Sequence, residues 1–245
     1  MVVDTTRTAV SLPPQDRSAS PPASHRLFFR STDAEAHYGR AAWIDTDAPR
    51  QAPHIVETLS CEVVYVGGGQ GICLSADRGV LTTYRASLFD ARSFEVSRTI
   101  ALKGIPSRAR VSIDGTRAAF TVFVSGHSYS TLDFSTQSLI VDTKTGNTLA
   151  DLEDFEVRRD GAVIRAPDFN FWGITFTPDA RQFFATLSTA GLHYLVRGDI
   201  ATRTMQVVHD NVECPSLSPD ATRVAYKKRL TGENRIVWQL QVLEL

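Results

Sequence analysis

The chain has 245 residues, 42% of them hydrophobic and 22% charged, and a formal net charge of -1. That length and balance suit one large soluble domain with a sizeable core, and they argue against the basic surface that nucleic acid or an anionic membrane would require. Every apolar run is far shorter than the roughly 20 residues needed for a membrane-spanning helix.

Residues 1–25, MVVDTTRTAVSLPPQDRSASPPASH, place Pro13, Pro14, Pro21 and Pro22 among Ser, Thr and Asp, without the apolar stretch of a signal peptide. They predict a disordered arm, with the folded domain over 26–245. Further on, Cys61 to Val66 and Gly71 to Ser75 read as two strands joined by Gly67-Gly68-Gly69-Gln70-Gly71. The glycines resemble a phosphate-cradling loop, but such a loop needs a helix N-terminus directly after it, and here a strand follows. A hairpin turn is the expectation. Cys61, Cys73 and Cys214 are too few for a disulfide framework and match no zinc spacing. A Cys61–Cys73 bridge is open, and buried free thiols are the expectation.

Four segments then repeat a strand, a polar turn and a strand: Ile72 to Tyr84, Ala109 to Phe120, Ile174 to Ala185 and Pro215 to Tyr226. Their centres are Ser75-Ala-Asp77, Ser112-Ile-Asp114, Thr177-Pro-Asp179 and Ser218-Pro-Asp220. A hydroxyl residue two positions before an aspartate lets both side chains take backbone N–H groups and reverse the chain tightly, so these aspartates are structural. The next residue of such a turn often needs positive φ, which Gly115 accepts freely and Arg78, Ala180 and Ala221 do not. Third strands follow at Ala42–Asp45, Ser87–Asp90, Ser138–Asp142, Tyr194–Asp199 and Gln239–Glu244, which makes five units. A repeat of about 40 residues built this way predicts an all-β propeller of four-stranded antiparallel blades.

The marker aspartates are 37, 65 and 41 residues apart, so the middle interval is about 26 residues too long. Insertions in one blade, at Gly126 to Gln137 and Arg158 to Asn170, account for it, and long loops on a rigid β scaffold are where binding function gathers. The chain stops at Leu245 within a third strand. Either His25 to Ser31 completes this last, incomplete blade, or the chain is cut from a longer protein; the repeat favours the second.

The motif Ser218-Pro219-Asp220-Ala-Thr-Arg-Val224-Ala225-Tyr226 resembles the WD40-like (PD40) repeat of TolB-type propellers, over four units from Ile72 to Tyr226. Ala76 to Ala86, Val122 to Tyr129 and Asp168 to Gly173 are similar to stretches of actinobacterial TolB-like proteins. The resemblance implies a six-bladed propeller, protein or peptide binding, and an extracytoplasmic or envelope-associated location. The chain as given lacks the export segment usual in that group, which by itself would leave it cytoplasmic.

Catalytic motifs are weak. Gly126-His127-Ser128-Tyr129-Ser130 misses the last glycine of a nucleophile elbow, and the chain has no room for a hydrolase domain beside the propeller. Asp151, Glu153, Asp154 and Glu156 match no calcium-loop spacing and read as a solvated loop. None of the four turns continues as a sialidase-type Asp box. The expectation is no enzyme activity, no cofactor and no metal.

The cluster His127, Tyr129, Asp168, Asn170 and Trp172, in or beside the two insertions, is the candidate binding face for a protein or peptide. Packing between blades is the structural alternative for the same residues. Two rival functions are an accessory domain of a separate catalytic part and a small-ligand-binding or hydrolytic propeller. A closed ring predicts a monomer, an open one association through its edge.

Overall fold

Short runs rich in Val, Ile, Phe, Tyr and Thr, cut every few residues by Asp- and Gly-containing turns, can bury their apolar faces only by stacking sheet on sheet. The computed structural model, which describes residues 25–126, 129, 134–231 and 236–245, shows this as a five-blade β-propeller.

Sheet 1 holds β1 (Arg26–Arg30), β2 (Arg40–Asp45) and β3 (His54–Ser60). Sheet 2 holds β4 (Val63–Gly67), β5 (Gln70–Arg78), β6 (Thr82–Asp90) and β7 (Val96–Leu102). Sheet 3 holds β8 (Ile105–Val111), β9 (Arg117–Ser125), β10 (Ser135–Asp142) and β11 (Thr148–Asp151). Sheet 4 starts from β14 (Asn170–Phe176) and runs through β15 (Gln182–Thr189), β16 (Leu192–Asp199) and β17 (Thr204–Asp210). Sheet 5 holds β18 (Glu213–Leu217), β19 (Arg223–Thr231) and β20 (Ile236–Glu244). The inner strands β4, β8, β14 and β18 touch one another in that order around the axis, and β1 packs against β4.

Four apolar clusters fill the gaps between successive sheets. Val56, Leu59 and Phe89 join sheets 1 and 2; Leu74, Leu88, Phe120 and Val122 join sheets 2 and 3. Ile140, Leu152, Phe171, Phe183 and Met205 join sheets 3 and 4; Phe184, Leu195, Val212 and Val224 join sheets 4 and 5. Each fully buried side chain of this size contributes about 1.5–3 kcal/mol.

The hydroxyl-x-Asp turn forms at three of its four predicted places. Ser112 Oγ donates to Asp114 and accepts from Arg117 N, while Thr116 N donates to Asp114. Thr177 with Asp179 and Ser218 with Asp220 repeat the arrangement. The following residue has positive φ in all three: Gly115 at 73°, Ala180 at 52° and Ala221 at 57°.

Asp77 corrects the pattern. It lies inside β5, paired with Thr83, and makes no such turn. The β4–β5 reversal has already happened at Gly68 and Gly69, with φ of 55° and 77°, which confirms the glycine hairpin. Ser75-Ala-Asp77 therefore marks the far end of a second strand. A second aspartate turn recurs at the β6–β7, β10–β11 and β16–β17 reversals, where Asp90, Asp142 and Asp199 each accept two backbone N–H groups.

Other expectations shift too. Cys61 and Cys73 are disulfide-bonded, tying the β3–β4 connection to β5, and Cys214 is the free thiol. The blades are not uniformly four-stranded: sheets 1 and 5 have three strands and sheet 4 has six. His25 to Ser31 does not extend the last sheet, because β1 pairs with β2. The two insertions belong to different sheets. The first joins β9 to β10 in sheet 3, whereas the second forms β12 (Glu156–Arg159) and β13 (Ala162–Ile164), with β12 running parallel to β17 at the outer edge of sheet 4.

Candidate functional site

Antiparallel strands put alternate connections on opposite ends of the propeller. All the aspartate turns occupy one end. The opposite end carries the β9–β10 connection, the Pro167–Asn170 approach to β14, the β15–β16 turn and the β17–β18 turn. There, where sheets 3 and 4 meet, lies a cleft of about 220 Å³, walled by Tyr129, Phe134, Asp168, Phe169, Asn170 and Arg229 among others. A hollow of about 460 Å³ adjoins it, sharing Gly191, His193 and Arg229.

The predicted residues divide by role. Tyr129 packs its ring 4.7 Å from Trp172 and 4.7 Å from Phe123, with Phe134 5.6 Å away at a right-angled tilt. Its hydroxyl meets Ser107 Oγ at 2.6 Å, and burial pushes its pKa up to about 12, so it stays protonated. Asn170 ties β14 to β10: its Oδ1 accepts from Thr136 N at 2.8 Å, and its amide donates to the Asp168 carbonyl. Asp168 accepts from Ala190 N at 2.6 Å and Thr189 Oγ1 at 2.7 Å, which holds the β15–β16 turn and lowers its pKa. Trp172 is fully buried, so it supports the cleft from beneath and presents no surface. His127 lies outside the described residues, as does Ser128; the next described element is a strand, β10, not the helix of a nucleophile elbow.

Sequence reasoning missed the opposite wall. His193, only 9% exposed, sits 5.5 Å from the Trp172 ring and 3.9 Å from Glu213. Burial lowers its pKa, with Arg229 and Lys227 adding to the effect against the pull of Glu213. Glu213 is itself buried and accepts from Trp238 Nε1 at 2.8 Å. Arg229 is tied through its backbone to Asn211 and lines both hollows. No signal in the sequence joined these residues, because they come from β16, β18 and β19 and meet only when sheet 5 packs on sheet 4.

The acidic run is dispersed among arginines and amides: Asp154 pairs with Arg203, Glu156 with Arg158, and Asp151 accepts from Gln137. Among the described residues no group of three or more metal-ligating side chains converges, and no helix is long and apolar enough to cross a membrane.

No protein-family model matches the chain, and no curated protein matches its sequence. Solved structures do resemble it. A TolB protein of Agrobacterium tumefaciens aligns with 91% of this chain over 78% of its own length, at TM-score 0.53 and 14% identity. The Kuenenia stuttgartiensis hydrazine synthase aligns with 85% of this chain over 57% of its own, at TM-score 0.52 and 14% identity. KlAtg21, in complex with the coiled coil of AgAtg16, aligns with 91% of this chain over 64% of its own, at TM-score 0.52 and 11% identity. The chain thus spans less than two thirds of the length of the last two. At these identities the likeness shows the fold alone, a β-propeller.

Proposed function

We propose that the protein is a non-catalytic interaction scaffold that holds a protein or peptide segment in the cleft between sheets 3 and 4. The observation that carries this reading is the cleft itself. It has an aromatic floor of Tyr129 and Phe134 over Trp172, and a rim offering the Arg229 guanidinium, the Asp168 carboxylate and the half-buried Phe169. Apolar anchorage surrounded by a few convergent polar groups suits a side chain or two of an extended segment. The Cys61–Cys73 disulfide supports an envelope or extracytoplasmic setting, since such bonds persist in oxidising compartments.

The test is a displayed random-peptide selection on the full chain, followed by titration of the enriched peptides. Replacing Phe169 or Arg229 by Ala should weaken them at least tenfold, and Lys144→Ala at the opposite end should not. Enriched peptides that bind the two cleft variants like the unaltered protein would overturn the proposal.

A further inference from the structure

Two arginines on β8 enter the centre of the propeller. Arg110 donates to the Tyr65 hydroxyl of β4 at 2.7 Å and to Ser216 Oγ of β18 at 3.2 Å, so one guanidinium ties three inner strands and must lie near the axis. Arg108 donates to the Ser107 carbonyl at 3.1 Å and approaches Cys214 Sγ at 3.7 Å, again on β18. Their planes are steadied by tyrosine rings, Tyr65 at 4.7 Å from Arg110 and Tyr129 at 5.3 Å from Arg108.

Among the described residues neither guanidinium makes an ion pair, unlike Arg117 one strand away, which pairs with Asp142 at 3.1 Å. Glu213 acts on Arg108 only at longer range and is committed to Trp238. Both guanidiniums use part of their donor forks on neutral partners and keep the rest. Positive charge held in a confined site without a counterion is costly, and a fork of this kind fits a planar oxyanion.

The space beside them specifies more. Both line a cavity of about 80 Å³ with Cys214 and Gly173. Arg110 also lines a second cavity of about 240 Å³, whose wall includes Val66, Phe176 and Leu217 from the ends of three inner strands and Ile113 from the turn after β8. The first is the size of a carboxylate head, and the second suits a short apolar body.

We propose that the central channel binds a small organic carboxylate, its head between Arg108 and Arg110 and its apolar tail in the adjoining cavity. This site is separate from the cleft, and its failure would leave the peptide reading untouched.

The full chain is titrated calorimetrically with hexanoate, acetate, hexanol and inorganic phosphate, and Cys214 alkylation by iodoacetamide is followed in parallel. Hexanoate should bind saturably and slow the alkylation at least fivefold. Each methylene beyond acetate should tighten binding about fourfold, while hexanol and phosphate should bind more weakly than hexanoate. Arg110→Gln should weaken hexanoate at least tenfold; should that variant not fold, Arg108→Lys, which keeps the charge and loses the fork, should do so at least threefold. Phosphate outcompeting hexanoate, hexanol matching it, no saturable hexanoate binding, or full affinity in a folded variant would each overturn the proposal.

Discussion

Ala221 sits at the positive-φ position of the last hydroxyl-x-Asp turn, at 57°, and replacing it with Gly isolates the backbone term of that turn. An L-residue there costs about 1–2 kcal/mol, and glycine removes that while adding about 0.4–1 kcal/mol of unfolded-chain entropy. The balance is a gain of about 0.5 kcal/mol, or roughly 1–2 °C in Tm for a domain of this size. Two companions calibrate it. Ala180, at 52°, is a residue only 4% exposed, so losing its methyl group gives up about 0.8 kcal/mol and Ala180→Gly should come out near neutral. Gly115→Ala adds the strain and drives a Cβ against the Gly68 carbonyl oxygen, where backbone must move; a loss of about 3 kcal/mol or more is expected. Urea unfolding followed by circular dichroism orders the three variants at unchanged slope. Ala221→Gly destabilising by about 0.5 kcal/mol or more, or Gly115→Ala unfolding like the unaltered protein, would show that positive φ does not strain this turn.

Three further outcomes follow from the structure. The Ser218 hydroxyl, with Thr222 N–H and hydroxyl, holds the Asp220 carboxyl down to about 2. A depressed carboxylate contributes stability above its unfolded pKa, near 3.9, and loses it as pH falls through the folded value. Asp220→Asn should therefore lie below the unaltered protein in stability at neutral pH and converge with it between about pH 4 and 2, read by urea midpoints across pH. Reducing the Cys61–Cys73 bond, or replacing both cysteines with Ser, should cost about 3 kcal/mol for a loop this short, measured with and without reductant. Finally, Leu240 is 82% exposed and Val242 62% exposed on the outer strand of sheet 5, an apolar edge that invites strand pairing. Leu240→Lys should lower concentration-dependent light scattering without shifting the urea midpoint.

The repeating turn made the blades legible because its chemistry is local: Ser112, Thr177 and Ser218 act on residues no more than five positions away. The same local reading failed at Asp77, where the residues match but the reversal was already made by Gly68 and Gly69. Side-chain identity alone does not say which end of a strand a motif occupies. The long interval between Asp114 and Asp179 spans the passage from sheet 3 to sheet 4, and its two insertions divide between those sheets instead of sharing one blade. It could not show that the second insertion extends sheet 4, since the parallel β12–β17 pairing joins segments nearly fifty residues apart. His193, Glu213 and Arg229 stayed invisible for the same reason: each is ordinary in its own strand, and only the packing of sheets brings them together.

In the proposed function, the cleft at the loop end receives a peptide segment. A photo-cross-linking phenylalanine analogue at position 169 in the cleft, and another at position 144 among the aspartate turns, tests it most directly against a peptide enriched on the full chain. Cross-links at 169 and none at 144 are predicted, with unlabelled peptide competing them away. Equal labelling at both positions, or labelling confined to 144, would contradict the account.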